Sequence, residues 1–101
     1  MIEKNPLNTL FITIRKELFE LINMIEVRID VGYILEEIEE ISFEISKLSK
    51  EGEKIVKEMK EIYSSLYKKY ENKLAAFLSS REANYLVDKI ESWLQVLPSL
   101  I

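Results

Sequence analysis

The chain has no cysteine and no histidine among its 101 residues. Without cysteine it cannot form disulfides or thiolate metal sites. Without histidine it cannot form a zinc site of the Cys/His type, or a nucleophile that is activated by a histidine base. We therefore expect no catalysis of these classes and no cofactor.

Long apolar runs are also missing, because none approaches the ~20 residues that a membrane-spanning helix needs. Glu3, Lys4 and Pro6 interrupt the N-terminal stretch, so we expect no signal peptide. A cytoplasmic location is the default expectation, without contact to a membrane.

Apolar residues make up 48% of the chain and charged residues 32%, and the formal net charge is −4. This composition is typical of a globular protein, and the length suits a single domain over residues 1–101. The negative charge argues against a nucleic-acid binder, which usually carries a basic patch. The many glutamates and lysines suit a thermophilic source, although an AT-rich genome produces the same bias.

Glycine and proline occur only twice each, and apolar residues recur every three or four positions, which predicts helices. The first segment starts near Asn5, with Pro6 at its first helical position. Its apolar row consists of Leu7, Leu10, Phe11, Ile14, Leu18, Leu21, Ile22, Ile25 and Ile29. Asp30 and Gly32 then mark a weak break. Alternatively, the first two segments form one long helix that is kinked there.

The apolar row of the second segment has alternating spacings of four and three, which is typical of a bundle seam. It consists of Ile34, Ile38, Ile41, Ile45 and Leu48. Gly52 suits the left-handed position just beyond the end of this helix. The same phase continues past Gly52 through Ile55 and Met59, so a continuous rod in a dimeric coiled coil is the alternative to a hairpin. We favour the hairpin.

The third segment runs from Glu53 to about Leu78, and the fourth follows it after a short break. Ser79 and Glu82 have the spacing of a capping box, which predicts the start of the fourth helix. Pro98 ends that helix. Four helices with short connections predict an all-α fold, namely an antiparallel four-helix bundle with up-down-up-down topology.

Glutamates on the second and third helices are the strongest candidates for chemistry. Carboxylates three or four positions apart share a helix face and can hold a hard cation such as Mg²⁺. The candidate ligands are Glu36, Glu37, Glu40, Glu58 and Glu61. In outline this pattern is similar to the all-α nucleoside-triphosphate pyrophosphohydrolases, whose facing helices hold Mg²⁺ with such motifs. The resemblance implies a Mg²⁺-dependent nucleotide phosphohydrolase, although Glu61 stands where that family has aspartate.

The isoleucine register favours a different interpretation of these glutamates. The core row passes through Ile38 and Ile41. A helix with that row inside turns Glu36, Glu39 and Glu40 away from the core. Glutamate runs are common on solvated helix faces. We therefore favour a solvated face, with no metal site and no catalytic residue.

Aromatic residues interleaved with lysines can stack on bases and contact phosphates. The candidate nucleic-acid surface consists of Tyr67, Lys68, Lys69 and Lys73. Tyr67 also continues the apolar row of its own helix, as tyrosines at the edge of a bundle do. Nucleic-acid binding is therefore the weaker alternative.

The two middle segments carry opposite charge. Residues 31–51 contain six glutamates and two lysines, a net charge of −4, whereas residues 53–78 contain six lysines and four glutamates, a net charge of +2. Antiparallel neighbours with opposite charge pair well, which supports the hairpin. Each exposed pair contributes well under ~1 kcal/mol, so the charges influence partner and register more than stability.

Several apolar residues lie off the predicted core faces. Ile12 and Phe19 share one flank of the first helix and can form a patch that marks an interface. Phe43 lies on the back of the second helix, and the chain ends in Leu100 and Ile101. We therefore expect a non-catalytic interaction module, a homo-oligomer with a dimer favoured, that binds itself or another protein. Alternatively, the first helix is buried on two sides.

Overall fold

A computed structural model describes residues 6–73 and 75–100, with side chains from residue 8 onward. These residues form no β-strand and four α-helices, which are α1 (Pro6–Glu26), α2 (Val31–Leu48), α3 (Glu53–Tyr70) and α4 (Ser80–Val96). Short 3₁₀ turns follow α2 and α4 at Lys50–Gly52 and Leu97–Leu100. The all-α prediction is confirmed. Asn5, the predicted start of the first helix, lies outside the described residues.

The four helices pack as an up-down-up-down bundle, in which α3 and α4 are joined by ion pairs across a groove. Helix α2 lies between α1 and α3, and α4 packs against α1. The molecule measures 50 × 24 × 21 Å, and this cross-section fits two layers of helices that are each about 10 Å thick. Among the described helices, none is long and apolar enough to cross a membrane.

The apolar rows that the sequence predicts form the core of the bundle. The fully buried side chains include Ile14, Leu18, Leu21, Ile34, Ile38, Ile41, Ile45, Met59, Leu86, Ile90, Trp93 and Leu97. Burying one such side chain contributes about 1.5–3 kcal/mol. The rows therefore determine how each helix is rotated about its axis, and they turn the charged faces outward.

A Schellman motif ends α1 and separates it from α2. The N–H of Ile29 donates to the carbonyl of Met24 at 3.0 Å, and the N–H of Arg28 donates to the carbonyl of Ile25 at 3.2 Å. Arg28 takes the left-handed conformation, with φ of 61°, that this motif requires. The alternative of one long kinked helix is therefore wrong.

Ser49 ends α2 by adopting an extended conformation, and its hydroxyl accepts a hydrogen bond from the N–H of Glu51 at 3.1 Å. The continuous rod across Gly52 is therefore wrong. The expected left-handed conformation of Gly52 is also wrong, because its φ is −75°. A Cβ at position 52 would lie 2.7 Å from Cγ2 of Ile45. The close approach of Ile45 therefore favours glycine at position 52, whereas the backbone conformation there is one that other residues also adopt.

Helix α3 ends at Tyr70, earlier than the predicted end near Leu78, and residues 71–79 connect it to α4. This connection folds back onto the start of α2, where the N–H of Val31 donates to the carbonyl of Ala76 at 2.9 Å. Leu78 is buried although it is not helical. An apolar row can therefore continue past the end of a helix when the connection itself packs on the core.

The capping box at the start of α4 is confirmed. The Ser79 hydroxyl accepts from the N–H of Glu82 at 3.2 Å, and Glu82 Oε1 accepts from the N–H of Ser79 at 2.9 Å. Helix α4 ends at Val96, and the following 3₁₀ turn contains Pro98. This turn places Leu100 against Gly52 in the core.

Candidate functional site

A cluster of carboxylates lies on the seam between α1 and α2. Oxygen atoms of Glu17, Glu40 and Glu44 lie within 4.8 Å of one another. Glu17 comes from α1 and the other two come from α2. Glu37 also lies close enough for its charge to raise the pKa of Glu17. We call these four residues the acidic seam.

Glu17, in the acidic seam, retains its proton at neutral pH. Burial, a hydrogen bond with Glu44 and the charges of the neighbouring glutamates raise the pKa of Glu17 to about 8. Burial and the charge of Glu40 also raise the pKa of Glu37. Oε2 of Glu44 is buried and has no hydrogen-bond partner among the described residues. A protonated Glu17 carboxyl carries a donor of the kind that such an oxygen needs.

The structure does not bring together the five glutamates that the resemblance to pyrophosphohydrolases implies. Glu36 is exposed on the outer side of α2. Glu58 faces α4, where it accepts a hydrogen bond from Lys89 at 2.9 Å, and Glu61 lines the same α3–α4 groove. Of the five, Glu37 and Glu40 belong to the acidic seam, together with Glu17 and Glu44 from outside the predicted set. The implied magnesium site therefore does not form from these residues.

The sequence analysis missed Glu17 and Glu44, although both carry a signal in their spacing. Glu17 lies three positions after Ile14 and four before Leu21, which places it beside the core row of α1. Glu44 directly precedes a core isoleucine, in the same seam position as Glu37 seven residues earlier. Carboxylates that flank a core row from two neighbouring helices meet at the seam between them.

The candidate interface residues differ in where the structure places them. Ile12, Phe19 and Phe43 are 63%, 51% and 60% exposed, so their side chains are available to a partner. Leu100 is only 6% exposed because it packs in the core. The expectation that Leu100 contributes to an interface is therefore wrong, and Ile101 lies outside the described residues.

The candidate nucleic-acid residues are only partly free. Tyr67 is 45% exposed, but its ring stacks on Tyr63 with the centroids 6.1 Å apart. Lys68 and Lys73 are exposed. Lys69 donates to Glu82 at 2.8 Å, which raises the pKa of this lysine. One of the three lysines is therefore committed to a partner within the chain.

Glu82 is the centre of a second polar cluster, between α3 and α4. Its carboxylate accepts hydrogen bonds from Lys69, from the Tyr70 hydroxyl and from the N–H of Ser79. Burial would raise the pKa of Glu82, but these hydrogen bonds outweigh burial and lower the pKa to about 2. Beside this cluster the two helices flank a groove of about 420 Å³.

A comparison of this chain with protein-family models, curated proteins and solved structures finds no match in any of the three. Function is therefore inferred from the surfaces described above.

Proposed function

We propose that this protein is a non-catalytic helical interaction module that associates with itself, with a dimer as the favoured state. Its partner surface consists of apolar side chains surrounded by glutamate and lysine. Such a module acts by presenting a rigid helix face, to a second copy or to another protein. We expect it to act in the cytoplasm.

The outward-facing apolar side chains carry this proposal. Ile12 and Phe19 project from one flank of α1, about 10 Å apart along the helix axis, and more than half of each side chain is exposed. Phe43 projects from α2 to a similar degree. Single exposed apolar residues are ordinary. Several large ones on neighbouring helices expose apolar area that association would remove from water.

The placement of the polar residues gives less support to catalysis or to nucleic-acid binding. Glu58 and Glu61 lie on the opposite side of the bundle from the acidic seam. Lys69 is held by Glu82. A phosphohydrolase needs convergent carboxylates to hold its metal ion, and a nucleic-acid groove needs free cations.

Static light scattering from micromolar to millimolar protein tests the proposal. We expect the average mass to rise with concentration towards that of a dimer. Phe19→Ser on α1 and Phe43→Ser on α2 alter two separate apolar surfaces, and we expect one of the two to weaken the dimer. The control is Tyr85→Ser, which removes an aromatic residue of similar exposure from α4. A wild-type chain that stays monomeric at the highest concentration would contradict the proposal. Release of phosphate or pyrophosphate from nucleotides with Mg²⁺ would instead favour the phosphohydrolase.

A further inference from the structure

Two rows of opposite charge lie on either side of the groove between α2 and α3. On α2 the acidic row consists of Glu36, Glu39 and Glu40. On α3 the lysine row consists of Lys57, Lys60 and Lys68, which are spaced at three and eight positions and so share one face. All six residues are exposed. Lys60 and the acidic row line one shared groove, and Lys57 and Lys60 line its continuation.

The two rows do not neutralise each other within the chain. In the described part of the chain, both ion pairs join α3 to α4, as Lys69–Glu82 and Lys89–Glu58. None of the described residues forms an ion pair between α2 and α3. The pairing across this hairpin that the sequence predicts is therefore absent, and both rows keep their charge facing outward.

Aromatic side chains accompany the charged rows on the same side of the bundle. Phe43 lines the groove together with the acidic row and is 60% exposed. Tyr67 lies beside the lysine row and is 45% exposed. Val56 lies half-buried between the two helices. This α2–α3 face thus combines apolar anchors with charges of both signs.

We propose that the α2–α3 face is the dimer interface, with the two-fold axis parallel to the helices, so that α2 of each copy lies on α3 of the other. This arrangement sets each acidic row against a lysine row. A two-fold axis across the helices would instead set α2 on α2, and acid on acid. Charge complementarity therefore selects both the occupant, a second copy of this chain, and the symmetry.

The charges also match in height over part of the face. A two-fold axis parallel to the helices preserves height, so a residue on α2 meets the α3 position that lies beside it within its own chain. Ser42 lies beside Lys60. By antiparallel counting, Glu36 then falls within two positions of Lys68, and Glu40 within two positions of Lys60. Opposite charges therefore meet along the first half of α2. Towards its other end like charges also come close, because Lys57 falls within two positions of Lys47, and Glu61, which lines the same groove, falls beside Glu40.

The size of the face suits a modest dimer. Helices of 18 residues are roughly 27 Å long, and the bundle is at least 21 Å wide. The flat footprint is therefore roughly 570 Å² per copy, which falls just below the range of stable interfaces and within that of weak, transient ones. An interface of this size depends on its charges, so association should weaken as salt rises.

Charge reversal tests this inference, which rests on the proposed self-association. The variant Lys57→Glu/Lys60→Glu makes both charged rows of the face acidic, and Glu36→Lys/Glu39→Lys makes both rows basic. We expect each variant alone to dimerise at least about tenfold more weakly than wild type. An equimolar mixture of the two should recover a dimer, because each acidic helix then faces a basic one. Circular dichroism checks that these exposed substitutions leave the fold intact.

Two further outcomes separate this inference from the proposed function. The variant Ile12→Ser/Phe19→Ser should dimerise like wild type, because it alters the outer flank of α1 only. If that variant abolishes the dimer while both charge reversals leave it unchanged, the α2–α3 interface is refuted and self-association stands. A monomeric wild type refutes both. Two monomeric variants that stay monomeric when mixed also refute the proposed symmetry.

Discussion

The two helix seams that hold partly buried glutamates differ in what surrounds each carboxylate. Between α3 and α4, Glu82 receives hydrogen bonds from Lys69, Tyr70 and Ser79, and its pKa falls to about 2. Between α1 and α2, burial and the neighbouring glutamates raise the pKa of Glu17 to about 8. Both side chains are partly buried. Burial raises the pKa of both carboxylates, so the direction in which their partners act decides which of the two is ionised.

This difference gives the two seams opposite effects on stability. The ionised Glu82 stabilises the folded chain above the ordinary pKa of glutamate, because donors hold its charge. Glu17 stabilises the folded chain only while it keeps its proton. Glu82 thus stabilises the contact between α3 and α4, whereas Glu17 lowers the free energy of unfolding at neutral pH.

The largest effect is expected from substituting Glu82, which accepts the hydrogen bonds between α3 and α4. Glu82→Ala deletes half of the capping box and leaves Lys69 and Tyr70 without their acceptor. The free energy of unfolding should fall by about 2 kcal/mol. Urea denaturation at pH 7 measures this, with Glu91→Ala on the exposed side of α4 as the control. Equal losses in the two variants would show that the Glu82 cluster contributes nothing.

A smaller effect, a gain in stability, is expected from removing one charge from the acidic seam. Glu17→Gln removes the charge that the neighbouring glutamates oppose and keeps a hydrogen-bond donor for Glu44. At pH 8 the free energy of unfolding should rise by about 1–2 kcal/mol, a value reduced for partial exposure to solvent. At pH 4.5 the variant and wild type should be equally stable. Glu26→Gln, exposed near the end of α1, is the control, and a similar gain there would contradict this account of Glu17.

The wild-type chain should show both seams in its pH profile. The raised pKa of Glu17 means that stability is lost as pH rises from 4.5 to about 8. The lowered pKa of Glu82 means that stability is lost as pH falls from 4.5 towards 2. Each limb should amount to about 1 kcal/mol. Thermal unfolding across this range measures the profile, and a Glu17→Gln variant with an unchanged upper limb would contradict the assignment.

The smallest effect is expected from breaking the second ion pair between α3 and α4, Lys89–Glu58. Lys89 donates to Glu58 at 2.9 Å, and about a third of each side chain is accessible to solvent. Lys89→Ala should lower Tm by about 2 °C or less. The difference from wild type should shrink in high salt. A loss of stability as large as that of Glu82→Ala would contradict the expectation that the Lys89–Glu58 pair contributes less than the Glu82 cluster.

Much of the fold followed from the spacing of apolar residues. The rows through Ile14 and Ile38 identified the buried faces of α1 and α2, and Ser79 with Glu82 identified the start of α4. These signals are local, because helical periodicity and capping act within a few residues. The end of α3 at Tyr70 was missed, because the connection after it is also apolar and packs on the core.

The candidate site was less accessible to sequence reasoning. Glu36 and Glu40 drew attention because they lie in an uninterrupted acidic run. Glu17 did not, because it lies outside any acidic run. Burial and the glutamates of α2 raise its pKa only in the folded bundle. Contacts between helices bring such residues together, and no local pattern within one helix contains them.

The sequence by itself determined that the chain is helical, which face of each helix is buried, and that disulfides and histidine chemistry are excluded. These properties depend on residue identity and on period, which a single helix already contains. Tertiary structure alone decided which carboxylate retains its proton, why position 52 is glycine, and that the acidic row of α2 and the lysine row of α3 stay unpaired. These depend on distances between helices, which packing of the whole core sets.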